Sequence, residues 1–278
     1  MQRGKTIWYT IAVTSVASLL LLSSGAILAF QNGPTSATEN SGPHRQDSPA
    51  AQQMNPVKEE SIPAASPADV KGDYRIVALG DSLTRGAGDE TGQGYVGYLT
   101  TELQKMTKNK VITTNLGING MKAPELLQYI QSPEVQKEIK AAHLITLSIG
   151  GNDLVRGAGP VTTTPNPGLA KQTQDQFLNT LDQILKEIRS QNEQSPILFV
   201  GLYNPFPLSD DQQKTALRIL EEWNSKTSQV LSKYQHTLLV PTQDLFTWNS
   251  SKFLAADNFH PNGQGYKAIA MRMLQDLK

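Results

Sequence analysis

From residue 72 onward, apolar positions follow two periods in turn. Short runs rich in β-branched and apolar residues occur at Tyr74–Leu79, Lys110–Asn115, His143–Ile149, Pro196–Leu202 and Thr237–Pro241. Between them apolar residues recur at helical spacing. Tyr95–Met106 is one such stretch; Pro124–Gln131 and Pro133–Ala141 form a second, interrupted before Pro133 because a proline cannot continue the turn that precedes it. The clearest helix spans Thr173–Asn192, where Phe177, Leu181, Ile184, Leu185 and Ile188 fall on one stripe. Another spans about Asp211–Tyr234, with Ala216, Leu217, Leu220, Trp223 and Val230 pointing inward, and a last one spans about Gly263–Leu277. Strands alternating with helices predict a parallel sheet covered on both faces, and such sheets bind ligands beyond the carboxyl ends of their strands. No internal repeat is present; the Arg-Gly-Ala-Gly tetrads at 85–88 and 156–159 are too short to count.

The first 71 residues follow neither period. Thr6 to Phe30 carries no charged residue and is preceded by Arg3 and Lys5. As a helix it is about long enough to cross a hydrocarbon core of roughly 30 Å, with the positive end inside and the rest of the chain outside. Two readings compete, an uncleaved anchor and a cleaved secretory signal. The run is longer than a signal core of about 7–15 residues, and Ile27-Leu28-Ala29 is a poor small-x-small cleavage site, which favours the anchor. From Gln31 to Lys71, Ser, Thr, Pro, Gly, Asn, Gln and Ala dominate, and no aromatic residue occurs between Phe30 and Tyr74. Such a segment buries too little apolar surface to offset its ordering entropy, so it reads as a disordered stalk, with His44 idle within it. Three parts are therefore expected: 1–30 as anchor or signal, 31–71 as stalk, and 72–278 as one working domain.

Charge and cysteine content narrow the chemistry. Lys plus Arg and Asp plus Glu each number 25, giving zero net charge, and no basic run occurs. Nucleic acid is thus excluded as the main partner, since binding it requires a basic excess or patch. The absence of cysteine removes disulfides, thiolate metal sites and a cysteine nucleophile.

Four short blocks carry the candidate chemistry. Gly80-Asp81-Ser82-Leu83 closes the first strand, so Ser82 sits at a turn or helix start where backbone N–H groups are unpaired. A serine hydroxyl is a weak nucleophile and needs a base, an orienter for that base and donors for the oxyanion. In Asp257-Asn258-Phe259-His260 the carboxylate and the imidazole are three apart, so one turn brings them to the same side. Asp257 can then accept from Nδ1 and leave Nε2 facing Ser82. Gly117 and Gly120 follow the second strand and Asn152 follows the third; a glycine N–H and an asparagine amide suit an oxyanion. Taken singly, Ser82 is a helix cap, Asn152 a turn residue and the Asp-His pair structural. Taken together, on one rim of a sheet, they read as a catalytic set. His143 and His236 lack suitable partners in sequence and are structural, and no second His or carboxylate cluster completes a metal site around Asp257 and His260.

Gly-Asp-Ser-Leu, Asn115-Leu116-Gly117-Ile118-Asn119-Gly120, Gly150-Gly151-Asn152-Asp153 and Asp257-x-x-His260-Pro261 resemble the four signature blocks of the GDSL, or SGNH, hydrolases, in the right order and across about Tyr74 to Leu277. The resemblance implies an α/β fold, a three-layer α/β/α sandwich of flavodoxin-like type with a central parallel sheet. It implies Ser82 as nucleophile, His260 as base and Asp257 as orienter, with an oxyanion hole from the Ser82 N–H, the Gly120 N–H and the Asn152 side chain. No metal or organic cofactor is implied. Gly-x-Ser-x-Gly is absent, which sets the α/β-hydrolase elbow aside. The expected activity is cleavage of carboxylic esters outside the membrane, on a small-molecule, lipid or acylated-carbohydrate substrate. Removal of acetyl groups from a cell-envelope polysaccharide is the narrower alternative, and a catalytically silent binding module is the third. Specificity is expected from Gly157–Lys171, rich in Gly, Pro and Thr, and from Tyr203-Asn204-Pro205-Phe206-Pro207, an apolar wall for an acyl chain or local packing.

Overall fold

Five strands form one sheet in a computed structural model that describes residues 66–158, 166–206 and 208–277. They are β1 (Tyr74–Gly80), β2 (Val111–Gly117), β3 (Leu144–Ser148), β4 (Ile197–Val200) and β5 (Thr237–Val240). Their order is β2-β1-β3-β4-β5 and every neighbouring pair is parallel. All the sequence-derived strands are present, with ends shifted by one or two residues. The 1–30 anchor or signal and nearly all of the 31–71 stalk lie outside the described residues. No helix among the described residues is long and apolar enough to cross a membrane.

The connections are helical: α1 (Ser82–Arg85), α2 (Gly94–Lys105), α3 (Ala123–Ile130), α4 (Pro133–Ala141), α5 (Gly151–Gly157), α6 (Pro167–Gln191), α7 (Asp210–Leu231), α8 (Gln243–Thr247), α9 (Ser250–Phe253) and α10 (Gly263–Asp276). Side chains alternate across a strand, so each strand feeds two cores. Val77 and Leu79 of β1, Ile145 and Leu147 of β3, and Ile197 and Phe199 of β4 join the stripe of α6 together with α3, α4 and Trp223 of α7. Tyr74, Ile76 and Ala78, with Leu198 and Val200, face the opposite way and pack on α2, α8 and α10. Central β3 and β4 are buried on both faces, whereas the edge strand β2 is half-buried along its middle. Two helical layers thus enclose one sheet.

Two boundaries differ from expectation for local reasons. α6 begins at Pro167 rather than Thr173, because Asn166 caps it: its Oδ1 accepts from the N–H groups of Gly168 at 2.9 Å and Leu169 at 3.1 Å. Residues 167–171 are therefore helix, not loop, and 159–165 lie outside the described residues. α7 ends at Leu231, capped by Ser232. Leu220, Trp223 and Val230 are buried as expected, but Ala216 and Leu217 are only half-buried, because the first half of α7 leans over a cleft instead of the core.

Candidate active site

Sheet register places the candidate blocks side by side. Gly80, at the end of β1, pairs with Gly117 of β2 on one side and with Ser148 of β3 on the other. Neighbouring strands lie about 4.8 Å apart. Ser82, Gly120 and Asn152, two to four residues beyond those ends, are thereby delivered to one rim by three adjacent strands.

Ser82 is the first residue of α1, so its N–H has no acceptor within that helix. The helix is held by a polar network beneath it. Asp81 caps it, its Oδ1 accepting from the Leu83 N–H at 3.0 Å and from the Ser148 hydroxyl at 2.7 Å. Thr84 donates its N–H to Ser148 Oγ at 3.2 Å, and its Oγ1 lies 2.7 Å from both Ser148 Oγ and the Tyr95 hydroxyl. All four side chains are buried. Burial pushes the Asp81 carboxyl up to about 6, against the hydrogen bonds from Ser148 and Leu83 that favour its charged form. Nothing local in the sequence flagged this network; its one trace is polar Thr146 and Ser148 within an otherwise apolar strand.

The candidate base, His260, approaches from the loop between α9 and α10. His260 Nε2 is 2.9 Å from Ser82 Oγ, and His260 Nδ1 is 2.6 Å from Asp257 Oδ2. The three-residue spacing acts through an Asx turn rather than a helical turn. Asp257 Oδ1 accepts from the N–H groups of Phe259 and His260, both at 3.0 Å, which leaves Oδ2 free for the ring. Partial burial raises the Asp257 pKa, but the hydrogen bonds from the His260 ring and from these two N–H groups outweigh it and hold the carboxyl below its usual range. The loop closes on itself through Ala255 N–H to His260 O at 2.8 Å. Tyr203, stacked on Phe246 at 3.9 Å between centroids, donates its hydroxyl to the Phe259 carbonyl at 2.8 Å. Tyr203, for which the sequence allows either an acyl-site wall or local packing, anchors the histidine loop through this stack and bond.

Of the two glycines after β2, each has its own place. A Cβ on Gly117 would lie 2.4 Å from the Arg85 N, so Gly117 exists for close packing of β2 against α1. Gly120, at φ +78, occupies a left-handed turn, and among the described residues its N–H has no acceptor. Asn152 donates one amide proton to the Met121 carbonyl at 3.1 Å, and its second remains available. Asp153 adds a tie that sequence reasoning missed: both its carboxylate oxygens accept from the Ala123 N–H, at 3.1 and 3.2 Å. Gly120 and Asn152 are therefore held to each other through the Met121–Ala123 segment.

The two other histidines of the domain sit elsewhere. His143 Nδ1 accepts from the Arg75 N–H at 3.0 Å and its ring stacks on Tyr74, while His236 takes a left-handed turn before β5. Among the described residues no three His, Asp or Glu side chains converge where they could hold a metal ion.

Residues 78–268 match the GDSL-like lipase/acylhydrolase family. The chain belongs to that family. This GDSL hydrolase is 33% identical over 210 residues to YpmR of Bacillus subtilis strain 168, an uncharacterised protein, with 73% of this chain and 81% of YpmR covered. It is 23% identical over 208 residues to the spore germination lipase LipC of Bacillus licheniformis, covering 72% and 94% of the two chains. Among solved structures it is similar to the lipase Lip_vut3 from a goat rumen metagenome, with a TM-score of 0.63 and 21% identity over 73% of this chain and 97% of the other. The five-stranded parallel sheet with helices on both faces is the SGNH-hydrolase fold, and the enzyme is a carboxylic ester hydrolase.

Proposed function

We propose that this GDSL hydrolase cleaves its ester through a Ser82–His260–Asp257 triad and an acyl-enzyme. The unbroken run from Ser82 Oγ to His260 Nε2 at 2.9 Å and from Nδ1 to Asp257 at 2.6 Å carries this reading. Ser82 Oγ attacks the ester carbonyl carbon while its proton passes to Nε2. The carbonyl oxygen becomes an oxyanion facing the N–H groups of Ser82 and Gly120 and the free amide proton of Asn152. The C–O bond to the alcohol then breaks, and His260 returns the proton to the leaving oxygen. Water enters, loses a proton to Nε2 and attacks the acyl-enzyme, and Ser82 departs with that proton. Asp257 keeps the ring proton on Nδ1, so Nε2 presents its lone pair to Ser82 at the start of acylation and to water at the start of deacylation.

We further propose that the reaction takes place outside the cytoplasmic membrane. The charge-free run Thr6 to Phe30 behind Arg3 and Lys5 would export the domain, and residues 31–71 would separate it from the bilayer. A fluorophosphonate probe on intact cells tests both halves of the proposal: labelling at Ser82, lost in Ser82→Ala, is expected, with removal of the labelled domain by added protease. Label on another residue would sink the nucleophile assignment. Protection from protease until the cells are lysed would sink the location.

A further inference from the structure

Beside the catalytic set lies a cavity of about 130 Å³ that the hydrolytic chemistry does not require. Four of its lining residues are chain neighbours of the catalytic groups: Asp81 and Leu83 flank Ser82, Gly151 precedes Asn152 and Phe259 precedes His260. From there the lining becomes apolar. Gly151, Leu154, Val155 and Ala158 line it from one side, spaced as a single face of α5, while Asn152 and Asp153 turn toward the β2 side. Ala216, Ile219 and Leu220 form the matching face of α7 on the other.

Most polar side-chain atoms in this lining are already engaged. Asp81 and Ser148 bond each other, Asn204 Oδ1 accepts from the Phe206 N–H at 3.1 Å, and the Tyr203 hydroxyl is given to Phe259. Among the described residues Asp81 Oδ2 accepts no hydrogen bond, but the rest of the lining is predominantly apolar and offers little to recognise a sugar ring. An aliphatic chain fits such a lining, since each buried methylene gains about 0.8 kcal/mol.

Building on the Ser82 acyl-enzyme above, we propose that this cavity seats the acyl chain and makes the enzyme selective for medium-length aliphatic acyl esters. The acyl half is assigned, and not the alcohol, because of what must move between the two steps. The alcohol leaves and water enters next to His260, whose side chain is 20% exposed, with that of Asp257 46% exposed. The solvent side of Ser82 is thus the exchange side, and the sheltered side holds the group that stays bonded to Oγ. Apolar cavities of about 150 Å³ accept a six-carbon ring. The volume here therefore corresponds to a chain of about four to six carbons.

The test is kcat/KM of the full-length, detergent-solubilised protein on p-nitrophenyl esters from acetate through butanoate, hexanoate and octanoate to dodecanoate. A second series keeps the acetyl group and lengthens the alcohol. The acyl series should climb about threefold to fourfold per methylene up to butanoate or hexanoate and then level or fall. Ala216→Phe, which places a ring in the cavity, should move the optimum of the acyl series to acetate. Ile219→Ala should move it toward octanoate, which keeps the proposal testable if the larger side chain disturbs folding. A flat acyl profile in a wild-type protein that still labels at Ser82 would overturn the acyl pocket alone. A climb seen only in the alcohol series would overturn the assignment to the acyl half. Failure to label or to hydrolyse any ester would overturn the triad beneath both.

Discussion

Asp257→Asn separates an orienting carboxylate from a merely structural one. In the wild type, Oδ1 accepts two backbone N–H groups and Oδ2 accepts the Nδ1 proton at 2.6 Å. The introduced amide must keep its oxygen on those two N–H groups, because reversing it forfeits both bonds at about 1 kcal/mol each. Its NH2 then faces Nδ1, which can only accept. The ring proton moves to Nε2, so an N–H rather than a lone pair points at Ser82 Oγ. In triads of this kind the exchange costs about 10⁴ in kcat. Here the carboxylate is 46% exposed, and water can support part of the correct tautomer. A loss of about 10³ is therefore expected, close to 4 kcal/mol of transition-state stabilisation. Steady-state hydrolysis of p-nitrophenyl butanoate reads the effect, with a urea unfolding curve alongside. Because both backbone bonds survive, the stability of the variant should stay within about 1 kcal/mol of wild type. A kcat within tenfold of wild type, in a protein folded as well as wild type, would refute the orienting role.

Asp153→Ala removes the only acceptor that the buried Ala123 N–H has among the described residues and unties Gly120 from Asn152; kcat on the same ester should fall at least about tenfold with KM little changed, and equal kcat would refute the tie. Gly117→Ala forces a methyl to 2.4 Å from the Arg85 N, so urea unfolding should show a loss of about 1–3 kcal/mol and activity should drop as α1 shifts; unchanged stability would refute the contact. Asp81→Asn tests the buried carboxyl. Its folded pKa of about 6 lies above the unfolded value of 3.8, so the folded state takes up the proton first and wild-type stability gains from this group as pH falls from about 7 to 4. The gain over that range is about 2 kcal/mol. The variant lacks that gain, so its stability relative to wild type, from urea midpoints, should be higher at pH 7 than at pH 4 by about that amount; a constant difference would refute the assignment.

The fold was legible because its signals are periodic and long. The α6 stripe from Phe177 to Ile188 and the continuous burial of β3 and β4 are properties of many residues at once. The start of α6 was not legible in the same way, since Pro167-Gly168 reads as a loop until the Asn166 side chain is seen capping it. The candidate site was legible as residue types at strand ends, but its supports were not. Ser148 and Thr84 are single polar residues that matter because register brings β3 beneath α1 across 64 positions of sequence. Tyr203 lies 56 positions from the carbonyl it holds, and Asp153 lies 30 from Ala123. Such ties join elements that are neighbours only after the sheet has formed, so no local pattern announces them.

Strand order gives one rim room for both the proposed oxyanion donors and the proposed acyl chain without mixing them. With the order β2-β1-β3-β4-β5, connections leave β1 and β3 in opposite directions, and a crevice opens between the carboxyl ends of these two strands. The Asp81–Ser148 bond closes its floor and Ser82 stands above it. From the β2 side come Gly120 and the segment that holds Asn152; from the β4 side come Tyr203 and, through α7, Ala216 and Ile219. α5 lies between and serves each side with a different face. A carbonyl at Ser82 would then have its oxygen drawn toward β2 and its alkyl chain toward β4. Changes on the two sides should therefore act independently. Asp153→Ala should slow every ester in the acyl series by a similar factor, Ala216→Phe should change only the shape of the series, and the double variant should show the product of the two effects. Strong non-additivity would mean that α5 shifts as a body and couples the sides, contrary to the division of its two faces.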